Sequence, residues 1–148
     1  MIQLARNIWI GDSTDERSAN LSPFGIDAIL NVAHDLQATR GWTHKIEYMQ
    51  VGLIDGPGNP LAAYHAAVLA LAALIEHRRV LICCHTGGRS LAVALMYLHL
   101  SNACSWEEWL TILYERIEEG VLPVVHRAHR EAFDRINWRY LANIVENV

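Results

Sequence analysis

Apolar residues fall first into short runs closed by turn-forming residues, and later into longer stretches at helical spacing. The runs at residues 7–10 before Gly11, 28–32 after Gly25, 46–53 before Asp55-Gly56-Pro57-Gly58, and 80–84 predict four β-strands. Helical spacing predicts helices over residues 61–77, 89–101, 106–119 and 125–145, with a break at Ser101-Asn102 and Ser105 as an N-cap. The run at 80–84 follows a long apolar helical stretch and is itself apolar throughout, as a central strand covered on both faces by helices would be. The pattern predicts the α/β class: one domain over residues 1–148, with a small, central, mostly parallel sheet flanked by helices. Residues 55–60, the only stretch rich in glycine and proline, read as a mobile loop within it.

With 148 residues, 52% hydrophobic and 19% charged, the chain can bury a sizeable core, which excludes a disordered chain. Lys+Arg 12 against Asp+Glu 16 gives a formal net charge of −4, without the basic footprint of a nucleic-acid binder, so any anion must be held locally. The most apolar stretch, residues 61–75, is shorter than a membrane span and contains His65, so it reads as a buried helix and no membrane partner is expected. The N-terminus reaches polar and acidic residues before any long apolar run develops, and a cytoplasmic location is the expectation. Cys83, Cys84 and Cys104 make a poor disulfide framework and read as reduced thiols. There is no CxxC pair, and the histidines at 34, 44, 65, 77, 85, 99, 126 and 129 lack metal-protease spacing, so neither a metal nor another cofactor is expected.

Chemistry concentrates in Val80-Leu81-Ile82-Cys83-Cys84-His85-Thr86-Gly87-Gly88-Arg89-Ser90-Leu91. An apolar strand ends in cysteine, a short loop carries two glycines, and an arginine and a serine open an apolar helix. Such a turn aims successive backbone N–H groups into one concavity at a helix N-terminus, which suits a phosphate. The same positive end, with an arginine beside it, favours the thiolate form of a cysteine, which is the nucleophilic form.

These residues resemble the cysteine-based protein phosphatases, specifically the small dual-specificity branch, whose signature is Cys, five residues, Arg, then Ser or Thr. Cys83, the five residues Cys84 to Gly88, Arg89 and Ser90 satisfy that spacing. The segments IWIGD, IDAILNVA and EYMQVGLIDGPG resemble the family's opening strand, second strand and general-acid loop, and SLAVALMYL resembles the helix after the catalytic arginine. The resemblance implies a metal-independent phosphomonoester hydrolase acting on a phosphorylated protein or peptide, or on another phosphomonoester. It implies Cys83 as nucleophile, Arg89 as a bidentate clamp, Asp55 as general acid and then base, Ser90 as hydrogen-bond donor to the leaving thiolate, and Cys84, His85, Thr86, Gly87, Gly88 and Arg89 as the phosphate-binding loop.

Two positions depart from the family pattern: Ile82 stands where His usually precedes the nucleophile, and Thr86 where Gly usually follows three residues after it. Taking Cys84 instead puts Gly87 at that glycine position but leaves only four residues before Arg89, a shorter loop that resembles rhodaneses and a bacterial phosphatase-like group. Cys83 is preferred, because its spacing to Arg89 and onward to Tyr97-Leu98 matches without a gap and gives Asp55 a role. The alternatives are a rhodanese-like sulfur-transfer enzyme using Cys84, and a catalytically weak phospho-binding module. Elsewhere, Asp12 and Asn31 read as residues tying loops through backbone hydrogen bonds, Trp106, Trp109 and Trp138 as packing residues, and His126 and His129, interleaved with Arg127 and Arg130, as a solvated helix face.

Overall fold

A computed structural model describes residues 1–16, 21–37, 45–117 and 121–146. Five strands, β1 (Ile2–Ala5), β2 (Ile8–Gly11), β3 (Ala28–Ala33), β4 (Glu47–Leu53) and β5 (Val80–Cys83), form one sheet in the order β1-β2-β5-β3-β4. β1 runs antiparallel to β2; every other pairing is parallel, and β5 lies between β2 and β3. The mostly parallel sheet expected from the sequence is present. β1, which the four-residue IQLA segment did not announce, extends its edge.

Five helices follow from the apolar stretches: α1 (Leu61–Ile75), α2 (Gly88–Asn102), α3 (Trp106–Arg116), α4 (Arg127–Arg135) and α5 (Trp138–Glu146). Ser105 caps α3 by accepting from the Glu108 N–H at 3.1 Å, as its position predicted. The stretch at 125–145 forms two helices instead of one. Ile136 turns extended, and the Asn137 side chain accepts from the Tyr140 N–H at 3.1 Å to start the second. The end of the stretch expected to run to residue 119 lies outside the described residues, as does His44.

Strand alternation sorts the sheet into two unequal cores. Ile8, Ile10, Leu30, Val32, Val80 and Ile82 point into the larger one, which all five helices share. Trp9, Ile29, Leu81 and Cys83 point the other way, into a small cluster with Leu21 and Ile26. β5 was expected to be covered by helices on both faces; among the described residues its second face is covered by this segment around a 3-10 turn at Ser22–Phe24. α2 is buried nearly all round, because it lies between the sheet and the other helices, and this fixes the end where it meets β5. None of the described helices is long and apolar enough to cross a membrane.

Candidate active site

Parallel strands deliver their C-terminal ends to one edge, where open α/β sheets bind ligands. Here that edge gathers Gly11 at the end of β2 and Asp12 after it, His34 and Asp35 after β3, Asp55 after β4 and Cys84 after β5.

The pleat decides which cysteine belongs to this edge. Cys83, the last residue of β5, faces the small core, fully buried, with its thiol 3.6 Å from the buried Glu16 carboxylate. Burial first, and then Glu16, push its pKa far up, so this sulfur is held as a thiol. One residue on, Cys84 faces the larger core and the start of α2. Its Sγ accepts from the Gly87 N–H at 3.1 Å and from the Ser90 hydroxyl at 3.2 Å. The preferred register, with Cys83 in the loop, therefore needs correction: adjacent residues at a strand end face opposite sides, and the sulfur that meets Ser90 and the helix N-terminus is that of Cys84.

The rest of the loop is shaped by two glycines. Gly87 has φ +92° and caps α2, and a Cβ there would lie 3.1 Å from the Pro123 ring. Gly88 sits under the Val124 carbonyl, which a Cβ would approach to 2.5 Å. The segment 122–125 thus braces the loop from outside. His85 and Thr86 are exposed, and His85 turns outward, its Nε2 3.4 Å from Asp35.

Arg89 is only 3% exposed. Its NH1 donates to the Leu53 carbonyl at 2.7 Å and to Asp35 Oδ1 at 3.1 Å, while its Nε is buried with no hydrogen-bond partner among the described residues. A buried guanidinium N–H left without an acceptor costs free energy unless a ligand supplies one. Partial desolvation opposes ionisation of Asp35, but the Arg89 hydrogen bond and charge, helped by His85, hold its carboxyl below the usual range.

Asp55 stands two residues after the Leu53 carbonyl that anchors Arg89, so one contact ties the two loops together. Its Oδ1 lies 3.0 Å from Nε2 of His129 on α4. That imidazole is fully buried, and its Nδ1 is 2.7 Å from the Tyr64 hydroxyl on α1. The loop itself is internally tied: Asn59 Oδ1 accepts from the Ile54 N–H and its Nδ2 donates to the Ile54 carbonyl, both at 2.8 Å. The Gly/Pro content that suggested mobility accommodates a closed turn. Among the described residues no group of three or more metal-ligating side chains converges.

Solved structures matching over nearly the whole chain share this architecture. DUSP15 matches with a TM-score of 0.78 at 15% identity, over 99% of this chain and 95% of that chain. A mouse putative dual specificity phosphatase complexed with zinc tungstate matches with 0.78 at 18% identity, over 97% and 89%. A variant of P. aeruginosa TpbA in complex with pTyr matches with 0.68 at 12% identity, over 100% and 95%. The fold is that of the dual-specificity phosphatases. No family model and no curated protein matches the sequence.

On this phosphatase fold, Cys84, Gly87, Gly88, Arg89 and Ser90 come together around one loop, Asp55 stands on the neighbouring one, and Cys83 is excluded. The cysteine-to-arginine interval is then four residues, one fewer than the phosphatase signature. Asp35 and His129 were not singled out as site residues by the sequence reading, though each carried a signal. Asp35 stands two residues past the end of a parallel strand, and so belongs to the ligand edge. His129 shares a helix face with Ala132, Phe133 and Ile136, and that spacing buries it. The solvated face expected for it is corrected accordingly, while its neighbours Arg127 and Arg130 face outward into ion pairs.

Proposed function

We propose that residues 1–148 act as one catalytic domain, a phosphomonoester hydrolase of the tyrosine or dual-specificity type that forms a cysteinyl-phosphate on Cys84. The observation that carries this reading is the Cys84 sulfur, which accepts from Gly87 N–H and Ser90 O–H beside a guanidinium whose buried Nε has no partner. Two donors aimed at one sulfur suit a nucleophile that must later leave, and the free edge of Arg89 is suited to a phosphoryl oxygen. The fold shared with dual-specificity phosphatases supports the assignment.

In the first step Cys84 Sγ attacks phosphorus in line. The S–P bond forms as the P–O bond breaks, and Asp55 gives its proton to the departing oxygen. In the second step Asp55 takes a proton from a water molecule as the water oxygen attacks phosphorus, a new P–O bond forms as the S–P bond breaks, and inorganic phosphate leaves. Ser90 donates to the recovered thiolate, Arg89 spans two phosphoryl oxygens throughout, and the backbone of Cys84 to Gly88, with the exposed His85 and Thr86, forms the rim. Apart from the ester and one water, both steps draw on protein groups. A phosphotyrosine-bearing protein or peptide is the proposed substrate, in line with the pTyr bound to the TpbA variant. Three free thiols fit a reducing, cytoplasmic setting.

The four-residue interval between Cys84 and Arg89 favours one second reading, sulfur transfer through a persulfide on the same cysteine, because the smaller loop offers one fewer backbone N–H. Hydrolysis of 4-nitrophenyl phosphate without added metal, by the native protein and by Cys83→Ser and Cys84→Ser, tests the first reading. Loss only in Cys84→Ser is expected. Loss only in Cys83→Ser would overturn the register, and turnover of thiosulfate with cyanide in place of the phosphate ester would select sulfur transfer.

A further inference from the structure

His129 is a fully buried titratable side chain that the two-step reaction leaves unused. Its hydrogen bonds form a chain whose direction can be worked out from one end. The Asn59 amide is oriented by the Ile54 N–H, which requires an acceptor and so fixes Oδ1 there and Nδ2 toward Tyr64. At 3.2 Å, Nδ2 then donates to the Tyr64 oxygen. Tyr64 in turn gives its hydrogen to Nδ1 of His129 at 2.7 Å, which leaves the imidazole proton on Nε2, 3.0 Å from Asp55 Oδ1.

We propose that His129 is a positioning residue for Asp55: its Nε2–H holds Oδ1 as an acceptor, so the proton delivered to the leaving oxygen is carried on Oδ2 and faces the substrate. The inference rests on the hydrolase reading above.

The surroundings keep the imidazole in that form. Burial disfavours its cation, His126 and Arg89 push the same way, and only Asp55 opposes them. Tyr64 completes the set of titratable groups that face it, and burial keeps that phenol protonated. A second proton on His129 would set Nδ1–H against the Tyr64 hydroxyl, whose own hydrogen would lose its acceptor. Asp55 is 43% exposed and the imidazole wholly buried, so without His129 the carboxyl is free to turn toward water.

The test separates positioning from support of the fold through the leaving group. 2,4-Dinitrophenolate leaves its phosphate ester without a proton, whereas the phenolate of phenyl phosphate needs one; general-acid assistance is worth about 10²–10⁴-fold. His129→Leu is expected to slow phenyl phosphate about ten- to a hundredfold more than 2,4-dinitrophenyl phosphate and to flatten the basic limb of the pH–rate profile. His129→Gln, whose amide N–H reaches where Nε2 stands, should recover part of the difference. Tyr64→Phe, which removes one hydrogen bond and little bulk, should show a smaller effect of the same sign, and it carries the test should His129→Leu fail to fold. Tungstate binding reports on the loop in every variant. Equal slowing of both esters in His129→Leu, or Gln no better than Leu, overturns the proposal. A native protein that cleaves neither ester overturns the hydrolase reading and the inference with it. An Asp55→Asn variant with unaltered leaving-group dependence removes Asp55 as the acid, and His129's role with it, while Cys84 chemistry stands.

Discussion

Replacing Gly88 by Ala sets two effects of opposite sign against each other. Gly88 is the first residue of α2 and its φ is not positive, so helix propensity alone favours Ala by up to about 1 kcal/mol, less at a helix terminus than in the interior. The added Cβ, however, would sit 2.5 Å from the Val124 carbonyl oxygen, and real Cβ contacts stay above 3.0 Å. The atoms must separate by at least 0.5 Å, and by 0.9 Å to reach ordinary contact at 3.4 Å. The obstacle is backbone, so the segment 122–125 or the loop itself has to move. Overpacking of this kind costs about 1–3 kcal/mol, which exceeds the propensity gain. The net expectation is a loss of about 1–2 kcal/mol and a Tm lower by about 2–8 °C for a chain of this length. Tungstate affinity should fall as well, because the displaced residue lies between Gly87 N–H and Arg89. Thermal unfolding followed by circular dichroism, with and without tungstate, measures both. Gly56→Ala is the control: its Cβ would meet nothing within 4 Å, and its Tm should stay near that of the native protein. A Gly88→Ala protein as stable as the native one, with undiminished tungstate affinity, would show that the 122–125 segment does not brace the loop.

Ser90→Ala removes the hydroxyl 3.2 Å from the Cys84 sulfur, and breakdown of the cysteinyl-phosphate should slow more than its formation, giving a burst of 4-nitrophenol in rapid mixing. A single-phase time course with unchanged kcat would refute that role. Asp35→Asn keeps an acceptor for Arg89 NH1 but removes a negative charge 3.1 Å from it, so tungstate should bind severalfold more tightly in a titration; weaker binding would mean that Asp35 serves chiefly to hold the guanidinium in place. The folded-state pKa of His129 lies below the ordinary 6.5, so under acid conditions the unfolded chain binds a proton that the folded protein does not. Its contribution is complete above pH 6.5 and is lost as pH falls toward the depressed value, with a slope of at most about 1.4 kcal/mol per pH unit. Urea titrations from pH 7 to 5 should show this slope in the native protein and a shallower one in His129→Gln.

Four of the five strands and the central place of β5 were legible because apolar runs and turn residues are local signals, whereas the edge strand β1 and the order of the strands were not. The closing helix pair was not read as a pair, since the apolar spacing continues through Ile136 and only Asn137 marks the restart. The site was legible as a segment but not as a set of contacts. Arg89, Ser90 and the two glycines follow from the strand–loop–helix pattern, whereas the choice between Cys83 and Cys84 depends on which side of the pleat β5 turns toward α2. That phase is set by pairing with β2 and β3 on either side, through Ile10 and Leu30 opposite Ile82, and no residue near the loop encodes it. The partner of Asp55 was hidden for a different reason. His129 lies 74 positions away, and only the docking of α4 beside α1 brings it within reach.

Asn59 closes residues 54–59 into a hydrogen-bonded ring, so the order of that turn is established when the chain folds and not when a ligand arrives. A ligand that had to freeze a loose turn would forfeit on the order of 1 kcal/mol of affinity for each backbone residue it fixed. Here no such toll falls on the encounter. Attachment to a long peptide, whose extra contacts would otherwise offset the toll, brings correspondingly little advantage. On the proposed hydrolase reading, small phosphate esters should therefore be processed nearly as well as large ones, leaving the exposed His85 and Thr86 as the positions at which substitution should alter preference among substrates.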